Sequence, residues 1–150
     1  MTEKYRIESE LEIITFIQNL KYALNNGAKI QIQINRHVDE ERAEIYTNKY
    51  TIAKLFQDEN PVEAIKRELM SLTKEDYIKT VKDIRFPERS EMREFGKVYG
   101  GEDVYIKIRV ELLSQYGITT TFVMSFHFAE KKFDDEIFPY RRKKGENGEL

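Results

Sequence analysis

The sequence predicts an α+β domain: an N-terminal helix, a strand, a helical middle segment and a C-terminal antiparallel meander. One twisted sheet would carry helices on one face and leave the other open. Two observations lead there. Between Phe95 and Glu130, apolar and polar residues alternate in two long runs, the pattern of half-buried antiparallel strands. Earlier, Ser9 and Asn60 each carry helix-start chemistry ahead of apolar residues at helical spacing.

Ser9-Glu10-Leu11-Glu12 reads as a capping box, in which the serine oxygen and the glutamate satisfy free N–H groups at a helix start. Leu11, Ile14, Ile17, Leu20, Tyr22 and Leu24 follow at helical spacing, Ile13 and Phe16 broaden the stripe, and Asn25-Asn26-Gly27 ends the helix. Lys29 to Asn35 alternates again, with Ile30, Ile32 and Ile34 inward, and is expected as a strand of the same sheet. Arg36 to Glu44 is polar and reads as a loop. Glu44–Tyr50 fits either a short strand or a turn, and Thr51–Gln57 one or two helical turns.

Asn60-Pro61-Val62-Glu63 is a helix start, with asparagine as cap and proline at the first helical position. Val62, Ile65, Leu69, Met70 and Leu72 form its stripe. Thr73 to Asp76 is expected to cap a further helical turn carrying Tyr77, Ile78 and Lys79. The charged stretch 82–93 reads as a mobile loop. Three strands then follow: one ending at the Gly100-Gly101 turn, Val104–Val110 and Thr121–Phe128. After Glu130, Phe133, Ile137, Phe138 and Tyr140 are expected to pin the chain down. The domain would span residues 1–140, with 141–150 as a fraying tail.

Of the 150 residues, 40% are hydrophobic and 35% charged, which excludes a disordered chain and fits a soluble domain. No apolar run approaches membrane-span length, and the N-terminus shows no apolar leader core. The absence of cysteine fits a cytoplasmic protein. Charge is uneven: residues 1–78 balance at −3 and residues 79–144 at +3. A basic half suits a phosphate-bearing partner.

The strand register sharpens this. If Val104–Val110 pairs with Thr121–Phe128, odd residues face odd residues. Tyr105 would lie beside His127 and Lys107 beside Ser125, within roughly 5–8 Å. Their simplest role would be the solvated side of a sheet. Several chemistries have no residues to carry them. Gly96, Gly100 and Gly101 lack phosphate-loop spacing. His37 and His127 are far apart, Asp134-Asp135-Glu136 reads as a solvated run, and neither a metal nor a cofactor is expected. What remains is metal-free acid–base chemistry on RNA. Attack by the 2′-OH needs a proton acceptor, a donor and cations around the phosphorane-like transition state. His127 and Tyr105 could move or share protons, and Lys79, Lys97, Lys107 and Arg109 could supply charge.

The order of four short motifs adds a resemblance. Leu72 to Lys79, Phe95-Gly96-Lys97, Asp103-Val104-Tyr105-Ile106-Lys107 and Ser125-Phe126-His127 together resemble the MqsR (motility quorum-sensing regulator) family of toxins. The likeness is to its shorter variants from Gram-positive bacteria and covers about Met70 to Tyr140. It implies a RelE-like fold and a metal-independent, ribosome-independent endoribonuclease acting on mRNA and restrained by an antitoxin. Lys79 and Tyr105 match positions tied to activity, while His127 falls where enterobacterial members carry a lysine. A glutamine tied to activity has no clear equivalent; the nearest position is Gly96, beside Lys97. The expected catalytic set is therefore His127, Tyr105, Lys79 and Lys97, with Lys107, Arg109 and Ser125 holding RNA. The alternative is a non-catalytic binding protein on the same scaffold, a phage or mobile-element factor that binds a host protein or nucleic acid.

Overall fold

A computed structural model of the chain describes residues 2–34, 43–112 and 119–142. The expected loop at 36–44 lies mostly outside the described residues, and so does most of the expected tail. The elements run β1 (Glu3–Arg6), α1 (Glu10–Asn25), β2 (Lys29–Ile32), α2 (Asn48–Leu55), α3 (Pro61–Met70), β3 (Tyr77–Asp83), β4 (Met92–Tyr99), β5 (Glu102–Leu112) and β6 (Thr119–Phe128). The expected α+β class is the observed one. Six strands form one sheet in the order β1-β3-β4-β5-β6-β2, antiparallel except where β2 joins β6.

Both helix starts form as read. The Ser9 side chain accepts from Glu12 N–H at 3.1 Å, and the Ser9 N–H donates back to Glu12 at 2.9 Å. Asn60 Oδ1 accepts from Glu63 N–H at 3.1 Å. Ile13, Ile17, Leu20 and Leu24 of α1 and Ala64, Ile65 and Leu69 of α3 are buried. With Ile52 of α2, they cover a sheet face made of Tyr77, Phe95, Val104, Ile106, Ile108, Val123 and Phe126. Burial of apolar surface at about 25 cal/mol per Å² makes this layer the main source of stability.

Two expectations about the middle of the chain are corrected. Thr73–Asp76 does form a capping box, but it caps only a single 3-10 turn. Tyr77, Ile78 and Lys79 continue as strand β3 instead of helix. The β-branched residues Ile78, Thr80 and Val81 favour that outcome. The meander therefore has four strands, and the charged stretch 82–93 contributes to two of them. β1 was not foreseen: Glu3 to Arg6 pairs antiparallel with Thr80 to Asp83. Gly100 and Gly101, at φ 59° and 86°, make the turn between β4 and β5, where residues with a Cβ would be strained.

Two bulges decide which side chains face which way. On β3, Tyr77 pairs with Phe95 but Lys79 with Glu94, so the extra residue Ile78 turns Lys79 away from the helices. On β6, Ser125 pairs with Lys107 but Val123 with Ile108, leaving Met124 as the extra residue. The parity of β6 reverses there. Strict alternation would place Phe122 inward and Thr121 and Val123 outward. Instead Thr121 and Val123 are buried with the core, and Phe122 lies opposite Arg109.

After β6 the chain turns back across the helix-free face. Phe133 N–H donates to Asp103 at 2.7 Å. Phe133 and Phe138 come so close over Gly96 that an added Cβ would lie 2.6 and 2.9 Å from their rings. Tyr140 stacks on Tyr77 and donates to the Glu8 carbonyl at 2.5 Å. Phe138 and Tyr140 thus pin this strap, as the sequence suggested, whereas Ile137 stays half exposed.

Candidate functional site

On the helix-free face, β5 and β6 place Tyr105 directly opposite His127 and Lys107 opposite Ser125. The Tyr105 and His127 rings lie 5.3 Å apart, tilted by 39°. His127 is only 7% exposed. Its Nδ1 lies 3.0 Å from the Phe128 carbonyl oxygen. A carbonyl only accepts, so Nδ1 carries the proton and Nε2 is the basic nitrogen of the neutral ring.

The cations are less uniform than the sequence suggested. Lys79 comes to this face through the β3 bulge. Its ammonium sits 4.8 Å from the centre of the Tyr5 ring, and among the described residues it has no carboxylate within ion-pair distance. Lys107 is nearly buried and lies between Glu3 at 3.4 Å and Glu94 at 3.7 Å. Arg109 lies over the Phe122 ring at 4.7 Å and 3.5 Å from Glu111. Ser125, paired with Lys107, is buried.

Lys97 does not join the site. Gly96 pairs with Tyr105, so Lys97, paired with Val104, points to the helix side. There it lies 3.5 Å from Asp76 and 3.4 Å from the Ser71 carbonyl. Its assignment to the catalytic set is corrected: a strand residue adjacent to Gly96 necessarily occupies the opposite face.

Between the strap and the sheet is a cleft of about 540 Å³. Lys79, Glu94 and Tyr105 line its polar side, while Ile7, Ile78, Ile137 and Pro139 give it apolar walls. Tyr5 borders this cleft and also a second one of about 610 Å³ against β1. His127, beside Tyr105 on the neighbouring strand, is not part of either lining.

The sequence reading missed Tyr5, Glu3 and Glu94. Glu3–Arg6 has only four residues, all exposed, and so carries no apolar alternation. The two glutamates look like ordinary surface charge until the register sets both against Lys107.

A buried network locks β1 beside this face. Glu8 is 3% exposed. Its carboxylate accepts from Arg93 Nε at 2.9 Å and from the Thr80 hydroxyl at 2.6 Å. The Glu8 N–H donates to the Tyr77 hydroxyl at 3.0 Å, which lies 2.7 Å from Thr80 Oγ1. Burial pushes the Glu8 carboxyl up, but the hydrogen bonds from Arg93 and Thr80 outweigh it and leave it below its ordinary value. Burial likewise pushes the Tyr77 hydroxyl up.

Among the described residues, no three His, Asp or Glu side chains come together as metal ligands. None of the described helices is long and apolar enough to cross a membrane. Compared with protein-family models, curated proteins and solved structures, the chain matches none.

Proposed function

We propose that the protein is a metal-independent endoribonuclease of the toxin–antitoxin type that cuts mRNA by 2′-OH attack. The observation that supports it best is the facing pair Tyr105 and His127, with Lys79 beside Tyr105 in one cleft. In this reading the 2′-OH enters beside Tyr105 to reach His127, which lies outside the cleft lining, and Nε2 takes its proton as the oxygen bonds to phosphorus. The Tyr105 hydroxyl donates a hydrogen bond to a non-bridging phosphate oxygen, and Lys79 offsets the growing negative charge. The bond to the 5′ oxygen breaks, leaving a 2′,3′-cyclic phosphate and a 5′-hydroxyl protonated from water. An antitoxin would be the protein partner, and the compartment would be the cytoplasm.

A specific observation favours a second reading. Lys107 and Arg109, on the same face of β5 as Tyr105, lie beside Glu3 and Glu94 and beside Glu111, respectively. Such pairing weakens the field that a polyanion would meet. A binding protein without catalysis on the same scaffold, directed at a host protein or nucleic acid, accounts for that.

The test is cleavage of a labelled single-stranded RNA in excess EDTA by wild type, His127→Ala, Tyr105→Phe and Lys79→Ala. Loss of one proton-transfer group should slow cleavage by about 10²–10⁴-fold. Undiminished cleavage in all three variants would remove the site. No cleavage by the wild type, with normal growth on induced expression, would leave the binding reading.

A further inference from the structure

Tyr5 is 68% exposed, yet it is held in place by strand pairing with Val81 and by the Lys79 ammonium on its ring. Cation–ring pairs recur on this surface, as at Arg89 on Phe86; the Tyr5 pair differs in that its cation, Lys79, lines a cleft and has no carboxylate within ion-pair distance among the described residues. Here the ring also borders two clefts, one of them walled by Ile7, Ile78 and Ile137. An aromatic platform with an adjacent cation and apolar walls fits a flat base attached to a phosphate.

We propose that Tyr5 forms a base-stacking subsite for single-stranded RNA, with Lys79 on the phosphate next to the stacked base. This rests on the ribonuclease reading and deepens it by naming the form of substrate. Lys79 occupies one side of the ring, which leaves the other for a base. From a base stacked here the adjoining backbone runs round the ring edge into the cleft that Tyr5, Lys79 and Tyr105 line together, where the cleavage chemistry is placed. Duplex RNA keeps its bases paired and cannot use the subsite. Stacking reads no hydrogen-bonding edge, so the subsite tolerates all four bases.

The chain has no tryptophan, which makes Tyr5→Trp a direct reporter. It is combined with His127→Ala so that bound RNA stays intact. A fluorescein-labelled single-stranded RNA is titrated while its anisotropy and the tryptophan emission are followed. The expected result is binding with quenched tryptophan emission for the single strand, and no quenching with a duplex of the same sequence. Tyr5→Ala and Tyr5→Leu in the same background should bind the single strand roughly 5- to 150-fold more weakly. Unquenched emission in a complex seen by anisotropy, or unchanged affinity in Tyr5→Ala, would overturn the subsite while leaving the nuclease reading intact. No RNA binding by His127→Ala with Tyr5 in place would overturn both.

Discussion

The Asn48 side chain holds Phe126 as a neighbouring strand would: its Oδ1 accepts the Phe126 backbone N–H at 2.9 Å. Its Nδ2 donates to the carbonyls of Met124 at 3.0 Å and Gln33 at 2.9 Å. Thr51 extends the pattern by accepting Phe128 N–H at 2.9 Å. β2 pairs with β6 only as far as Val123. Beyond that residue, two side chains of α2 satisfy backbone groups that would otherwise form an open sheet edge. They also fix the bulge at Met124, and with it the side of the sheet on which Ser125 and His127 lie.

Asn48→Ala should therefore cost about 2–3 kcal/mol, because it leaves several buried backbone groups unsatisfied. Urea denaturation measures this. Asn48→Asp should be no better: it keeps an acceptor for Phe126 but sets a carboxylate against two carbonyl oxygens. A midpoint close to wild type for both variants would mean that the side-chain ladder adds nothing.

The Glu8–Arg93 pair gives a pH dependence with a definite sign. Glu8 is held below its ordinary value of 4.5 by Arg93 and Thr80 against the opposing effect of burial. A carboxyl lowered on folding adds stability that is present above the ordinary value and is lost as pH falls through the folded one. Wild type should exceed Glu8→Gln by roughly 3 kcal/mol near neutrality, since the change leaves Arg93 without its buried partner. The gap should shrink below pH 4.5. Denaturant melts of both proteins across that range test it, and a gap that stays constant would count against the ion pair as its source.

Gly96 sits under the strap with no room for a methyl group, which an added Cβ would place 2.6 Å from the Phe133 ring. Gly96→Ala should destabilise by about 1–3 kcal/mol and make the strap easier to cleave by protease. In the double variant Gly96→Ala with Phe133→Ala, part of that cost should vanish, giving a coupling of about 1 kcal/mol or more. Additive effects would mean that the rings do not press on Gly96.

Particular residues show where the sequence was legible. The facing of Tyr105 and His127 could be read because both lie on the same side of the bulges, where strict alternation holds. Phe122 could not, because alternation has no memory of an extra residue once Met124 intervenes. β3 was hidden because Thr73–Asp76 has true helix-capping chemistry, and only the β-branched run after it favours a strand. Lys97 was misplaced because it adjoins Gly96, the position nearest the missing glutamine, while strand geometry sends neighbours to opposite faces. The acidic partners of Lys107 come from β1 and β4, a pairing across 104 residues that no local pattern records.

Those acidic partners lead to the prediction that best separates the two functional readings. Lys107 lies between Glu3 and Glu94, so its charge is largely offset before any ligand arrives. If RNA crosses this face, Glu3→Gln combined with Glu94→Gln should strengthen single-stranded RNA binding in the His127→Ala background. The recovered cation should also steepen the fall of log affinity with log salt by about 0.7, the increment for one phosphate contact on a single strand. Adding Lys107→Met should return both quantities to their starting values, which separates a gain through Lys107 from a general loss of acidity. An unchanged slope would place RNA phosphates away from Lys107. The carboxylates would then be holding Lys107 in the sheet, and a protein partner would be the better candidate for this face.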